Sequence, residues 1–99
     1  MKVVFSERAG RDVDRIDAWW RHNRPAAPDL FAHEITDAVS RLETPGAILG
    51  IEKRSRRGTV LFRLLLERTE QHVYFRRDNP SLITVLCVWG ARRRREPKL

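Results

Sequence analysis

Leu82-Ile83-Thr84-Val85-Leu86-Cys87-Val88-Trp89 is the stretch on which the fold turns. Alternation places Ile83, Val85, Cys87 and Trp89 on one side and Leu82, Leu86 and Val88 on the other, and both sets are apolar. A strand with two apolar faces predicts an interior place in a sheet that is covered on both sides. Upstream, Thr59 to Leu66 and His72 to Arg77 have strand length and are rich in Val, Leu and aromatics. Glu67 to Gln71 and Asp78-Asn79-Pro80-Ser81 read as the turns between them, because Pro cannot donate to a ladder. At the front, Lys2-Val3-Val4-Phe5 is a short β-type run.

Two amphipathic helices supply cover for such a sheet. Ser6 suits an N-cap and Glu7 the positive first turn. Ala9, Val13, Ile16 and Trp20 then recur at helical spacing, Trp19 lies beside them, and Asn23-Arg24-Pro25 is the stop. A second helix starts near Pro25 or Pro28, carries Ala27, Phe31, Ile35, Ala38, Val39 and Leu42 along one side, and ends at Thr44-Pro45-Gly46. Residues 45–58 read as the long loop. The expected fold is a single α+β domain over residues 1–99 in the order β-α-α-β-β-β. Its helical hairpin packs on one face of a small, mainly antiparallel sheet.

The chain has 99 residues, of which 41% are hydrophobic, enough for one core. No apolar run approaches the ~18–20 residues of a membrane span, and nothing near Met1 resembles a signal peptide. The lone Cys87 has no partner for an internal disulfide, which fits a reducing cytoplasm. The net charge is +7, and it is unevenly placed. Residues 1–50 carry 7 Lys+Arg against 8 Asp+Glu, whereas residues 51–99 carry 13 against 5. The excess lies in Lys53-Arg54-Ser55-Arg56-Arg57, Arg76-Arg77 and Arg92-Arg93-Arg94-Arg95. An arginine-rich half favours nucleic acid, an anionic groove or an acidic protein partner; a solvated basic face is the plainer alternative.

Few other chemistries fit. His22, His33 and His72 share no ligand spacing and Cys87 has no second cysteine, so no metal is expected. No glycine-rich phosphate loop is present, so no nucleotide cofactor is expected either. Cys87 sits in an apolar run, which favours an inert buried thiol over a nucleophile paired with His72. Asp12, Asp14 and Asp17 lie among arginines on a polar helix face and read as solvated ion pairs. The basic residues remain. Arg63 interrupts an apolar strand, alternating with Leu61 and Leu65 and opposite Val60, Phe62 and Leu64. If the helices leave that face uncovered, Arg63 projects into a concavity beside His72, Tyr74 or Arg76, a lining suited to phosphate. Pairing of these arginines with Glu67 and Asp78 at strand ends is the competing arrangement.

The ordered set of segments resembles the RelE/ParE superfamily of toxins from bacterial type II toxin–antitoxin systems. The resemblance is carried by Val4-Phe5-Ser6, by Trp19-Trp20-Arg21-His22-Asn23-Arg24-Pro25, by Leu42-Glu43-Thr44-Pro45-Gly46 and by His72-Val73-Tyr74-Phe75-Arg76. It continues through Ile83-Thr84-Val85-Leu86-Cys87-Val88-Trp89-Gly90-Ala91-Arg92-Arg93 and so covers nearly the whole chain. The resemblance implies a basic toxin that forms a hetero-oligomer with an antitoxin, whose disordered acidic segment folds along the hairpin and across the sheet. Trp19, Trp20, Phe31 and Arg57 are the expected antitoxin contacts. RelE-like members cleave mRNA on the ribosome with basic residues and often a late Tyr or His, whereas ParE-like members lack that set and poison DNA gyrase. After Trp89 this chain has no Tyr or His. The expectation is therefore a ParE-like gyrase poison, not an enzyme, that uses Arg63, Arg76, Arg77, Arg92 and Arg93 on its target. The alternative is a RelE-like RNase acting through Arg63, His72, Tyr74, Arg76 and Arg77. A basic nucleic-acid-binding module without a toxin role is a second alternative.

Overall fold

The computed structural model describes residues 1–46 and 49–99. Strand β1 (Lys2–Phe5) leads into helix α1 (Glu7–Asn23), and helix α2 (Leu30–Glu43) folds back beside it. Strands β2 (Ile51–Arg54), β3 (Val60–Leu66), β4 (Gln71–Asn79) and β5 (Leu82–Gly90) follow. Among the described residues no helix is long and apolar enough to cross a membrane.

Ser6 joins sheet to hairpin. Its Oγ accepts the Ala9 amide at 3.1 Å as the α1 N-cap, and its hydroxyl donates to the Leu86 carbonyl at 3.0 Å. Its own amide donates to the Val85 carbonyl at 2.9 Å. A single side chain thus ends β1, starts α1 and anchors both to β5.

The sheet order is β1-β5-β4-β3-β2, with β1 parallel to β5 and the other pairs antiparallel. β5 is interior, as its double apolar face requires. The α+β class and the hairpin on one face of a mainly antiparallel sheet are as expected. The order is β-α-α-β-β-β-β, however, one strand more than the sequence indicates. The extra strand, β2, lies inside the stretch read as a loop, and Ala47 and Ile48 of that stretch fall outside the described residues. Ile51-Glu52-Lys53-Arg54 has one apolar side chain, yet an edge strand needs only backbone pairing, here Ile51 opposite Arg63 and Lys53 opposite Leu61. α2 also begins later than Pro25 or Pro28. Pro25 lies in a turn closed by Ala27 N–H to Arg24 C=O at 3.0 Å and Pro28 in one closed by Leu30 N–H to Ala27 C=O at 3.3 Å, which leaves Ala27 outside the helix.

A register shift separates Tyr74/Phe75 from their β5 partners Cys87 and Val85, so Leu86 is an extra, bulged residue. The bulge overrides simple alternation. Ile83, Val85 and Val88 all join the helix-side core with Phe31, Ile35, Leu64, Leu66, Val73 and Phe75. Cys87 and Trp89, by contrast, fall on the other face. That second face carries its own buried residues, Leu61, Tyr74 and Cys87, which lie outside the helix-side cluster. Residues 95–99 line a cavity with Leu61 and Tyr74, and Arg8 of α1, which donates to the Lys98 carbonyl, lies near Cys87.

Candidate functional site

The face opposite the helices brings together four strands' worth of functional side chains. Arg63 on β3 stands opposite Tyr74 on β4, and Tyr74 stands opposite Cys87 on β5. His72 lies two residues before Tyr74 on the same face, edge-on to its ring with centroids 6.2 Å apart. Lys53 reaches in from β2. The result is two cations, an imidazole and a phenol on one surface.

Residues 91–99 cross that surface. Trp89 Nε1 donates to the Arg95 carbonyl at 2.7 Å, while the Arg93 guanidinium lies 4.1 Å from the Trp89 ring centroid. Glu96 Oε1 sits 3.0 Å from Lys53 Nζ and 3.9 Å from Arg63 Nη1. Farther along, Arg8 Nη1 donates to the Lys98 carbonyl at 2.7 Å. Pro97, Leu99, Leu61 and Tyr74 line the cavity of about 590 Å³ left beneath. Tyr74 retains only 3% exposure, so its hydroxyl is largely withdrawn from solvent.

Electrostatics follow from this packing. Burial, together with the charges of Arg63 and Lys53, pushes the His72 imidazole below its ordinary value of 6.5, and the Glu96 carboxylate opposes that shift. Burial pushes the Cys87 thiol up to about 11, so it is neutral and a poor nucleophile near neutral pH.

A second recess lies beside the end of α1. Its volume is about 1140 Å³, and its lining includes Trp19, Arg24, Arg68, Glu70 and Arg93. Trp20 packs against the core while Trp19 is 47% exposed, and the two rings meet edge to face at 5.7 Å. Arg24 lies 5.2 Å from the Trp19 ring centroid, an arrangement that places a cation against an exposed aromatic. The opposite wall is the β3–β4 turn. The Glu34 carboxylate of α2 accepts the amides of Arg68 at 2.8 Å and Thr69 at 3.0 Å, fixing that turn to the hairpin. Glu70 holds Arg92 Nε at 2.6 Å on the rim.

The arginines singled out by sequence do not converge on one patch. Arg63 faces Glu96, and Arg76 pairs with Asp78 at 2.5 Å on the same side of the sheet. Arg77 lies over the Phe62 ring at 5.2 Å on the helix side. Arg92 and Arg93 border the α1 recess. Phe31 is fully buried in the core, and Arg57 is exposed in the β2–β3 turn. Sequence reasoning missed Lys53, Glu96, Arg24 and Glu34. Glu96 offered a signal, being the lone acid in Arg92-Arg93-Arg94-Arg95-Glu96-Pro97-Lys98. Lys53 did not, because its facing depends on a strand the pattern does not announce.

No protein-family model and no curated protein matches the chain. Among solved structures, the fold is similar to that of a chain from the chromosomal ParDE TA system from P. aeruginosa. The TM-score is 0.72 at 20% identity, covering 91% of this chain and 95% of that one. At that identity the likeness is one of fold.

Proposed function

We propose that this chain is the toxin of a type II toxin–antitoxin pair, ParE-like, which acts in the cytoplasm by poisoning DNA gyrase and is silenced by a cognate antitoxin. The observation that carries this reading is the fold shared with a chain of a ParDE system over 91% of the present chain. The arginine-rich second half supports an acidic partner that folds on binding. The α1 recess suits that partner best: Trp19 offers an apolar anchor, and Arg24, Arg68 and Arg93 surround it with positive charge. Arg57 extends the contact along the β2–β3 turn, while Trp20 and Phe31 support it from the core.

On the target side, Arg63, Arg76, Arg77, Arg92 and Arg93 supply binding contacts. Gyrase is favoured over the ribosome because phosphoryl transfer needs an accessible proton donor and acceptor. Tyr74 is buried, and residues 90–99 contain no Tyr or His. A RelE-like RNase is the second reading, favoured by the adjacency of Arg63, His72 and Tyr74 on one face.

The test is to titrate the purified protein into gyrase supercoiling reactions and into a translation reaction in which mRNA cuts are mapped. Loss of supercoiling with trapped cleaved DNA supports the first reading. Codon-phased mRNA cuts with unaffected gyrase reverse the order. Inertness in both assays removes the toxin reading.

A further inference from the structure

We infer that residues 91–99 form a releasable strap that keeps the Lys53–Arg63–His72–Tyr74 face closed in the free protein, with Glu96 serving as a built-in anion for its two cations. This concerns the regulation of the target-binding face and rests on that reading only for its biological use; the strap itself is testable without gyrase.

Three observations converge. The first is complementarity: the lone carboxylate in a segment that otherwise carries Arg92 to Arg95 and Lys98 is the one group placed between Lys53 and Arg63. The second is what lies beneath. Leu61 and Tyr74 are 4% and 3% exposed on the face opposite the helical hairpin, where Pro97 and Leu99 line the same cavity, and Cys87 beside them is 0% exposed with Arg8 of α1 nearby. The third is the weakness of the fastening. No segment of regular structure includes residues 91–99. At the near end they are held by Ala91 N–H to the Glu70 carbonyl, the Arg92–Glu70 pair and Arg93 over Trp89; residues 94–99 are held by a hydrogen bond from Trp89, the pairs of a 63% exposed Glu96 with Lys53 and Arg63, and a hydrogen bond from Arg8. Exposed ion pairs are easily given up to water, salt or a competing anion. A well-covered surface under weakly held cover is the arrangement of a latch. An incoming carboxylate or phosphate group on a partner satisfies Lys53 and Arg63 in place of Glu96 and leaves the strap free to lift.

Cys87 provides the readout, because it is fully buried on this face and its neighbour Arg8 holds the strap at Lys98. The experiment measures the rate at which an uncharged maleimide labels Cys87 in the full chain, in Glu96→Gln and in a chain lacking residues 96–99. Thermal unfolding midpoints and amide exchange of Val73 and Val85 are followed in parallel. Glu96→Gln is expected to speed labelling about 2- to 5-fold, the change an exposed ion pair carries. The truncation is expected to speed it further, with core exchange unchanged in both. An NMR titration of His72 adds a check on position: loss of the Glu96 charge should move its midpoint lower. A labelling rate and a His72 midpoint in Glu96→Gln equal to those of the unaltered chain would overturn the strap, whatever the gyrase assay gives.

Discussion

The amide of Val88 donates to Asp12 Oδ2 at 3.0 Å, tying a helix carboxylate to the interior strand β5, 76 residues away. Val88 follows the Leu86 bulge, where β1 has ended and the edge of β5 no longer has a strand beside it. Asp12 supplies the acceptor that a missing strand would have offered. A charged acceptor for a largely buried amide contributes about 1.5–3 kcal/mol. Asp12→Ala is accordingly expected to destabilise the fold by that amount in urea unfolding with an unchanged slope. Asp14→Ala, on an exposed position, should change stability by less than ~0.5 kcal/mol.

The two hairpin aromatics Trp19 and Phe31 should separate binding from stability. Phe31 is completely buried, and Phe31→Ala should cost about 3–5 kcal/mol in unfolding experiments. Trp19 is 47% exposed, so Trp19→Ala should leave the unfolding midpoint nearly unchanged while weakening antitoxin binding in calorimetry at least tenfold.

His72 makes the structure sensitive to mild acid. Its folded value lies below the ordinary 6.5 because of burial and the charges of Arg63 and Lys53. The unfolded chain therefore takes up this proton at a higher pH than the folded chain does. The contribution of the neutral imidazole is complete above about pH 6.5 and is lost as pH falls through the lowered folded value. Stability measured by denaturant should drop across that window, and His72→Gln should flatten the drop. Asp78, held low by the Thr84 hydroxyl and then by Arg76, acts in the same direction at more acidic pH.

Much of the fold was legible because local chemistry and tertiary position agree. The two apolar sides of residues 82–89 placed β5 inside the sheet, and Ser6 announced the start of α1. What was not legible depends on long-range partners. Nothing near Leu86 encodes a bulge; Ser6 and Asp12 accommodate it from the other end of the chain. Trp19 and Trp20 are about 100° apart on the helix, and only the neighbouring core decides that Trp20 turns inward. The arginines were readable as charge, but their partners were not. Arg63 meets Glu96 and Arg77 meets Phe62 because strands and strap bring them together, so a single basic patch could be expected from sequence and is absent from the fold.

Association with an acidic antitoxin segment should depend on salt. Electrostatic steering acts over the ~8 Å screening length at physiological ionic strength. Association rates measured by stopped flow should therefore fall steeply between roughly 50 mM and 500 mM salt, a range over which the screening length shrinks about threefold. A rate indifferent to salt would remove the charge complementarity assigned to the recess.

Arginine replacements discriminate the two modes of action. For a gyrase poison, Arg63→Ala, Arg76→Ala, Arg77→Ala, Arg92→Ala and Arg93→Ala should each erode toxicity by degrees. For an RNase, losing one group at the transferring phosphate should reduce cleavage by ~10²-fold or more while binding survives. Growth curves across the five single variants and the quintuple variant distinguish a graded series from one abrupt loss.

The most direct measurement induces the chain alone in bacterial cells and follows growth together with chromosomal double-strand breaks, with and without depletion of gyrase. Growth arrest accompanied by breaks that vanish when gyrase is depleted is the expected result. Unimpeded growth with an intact chromosome, at protein levels verified in the same cells, would contradict it.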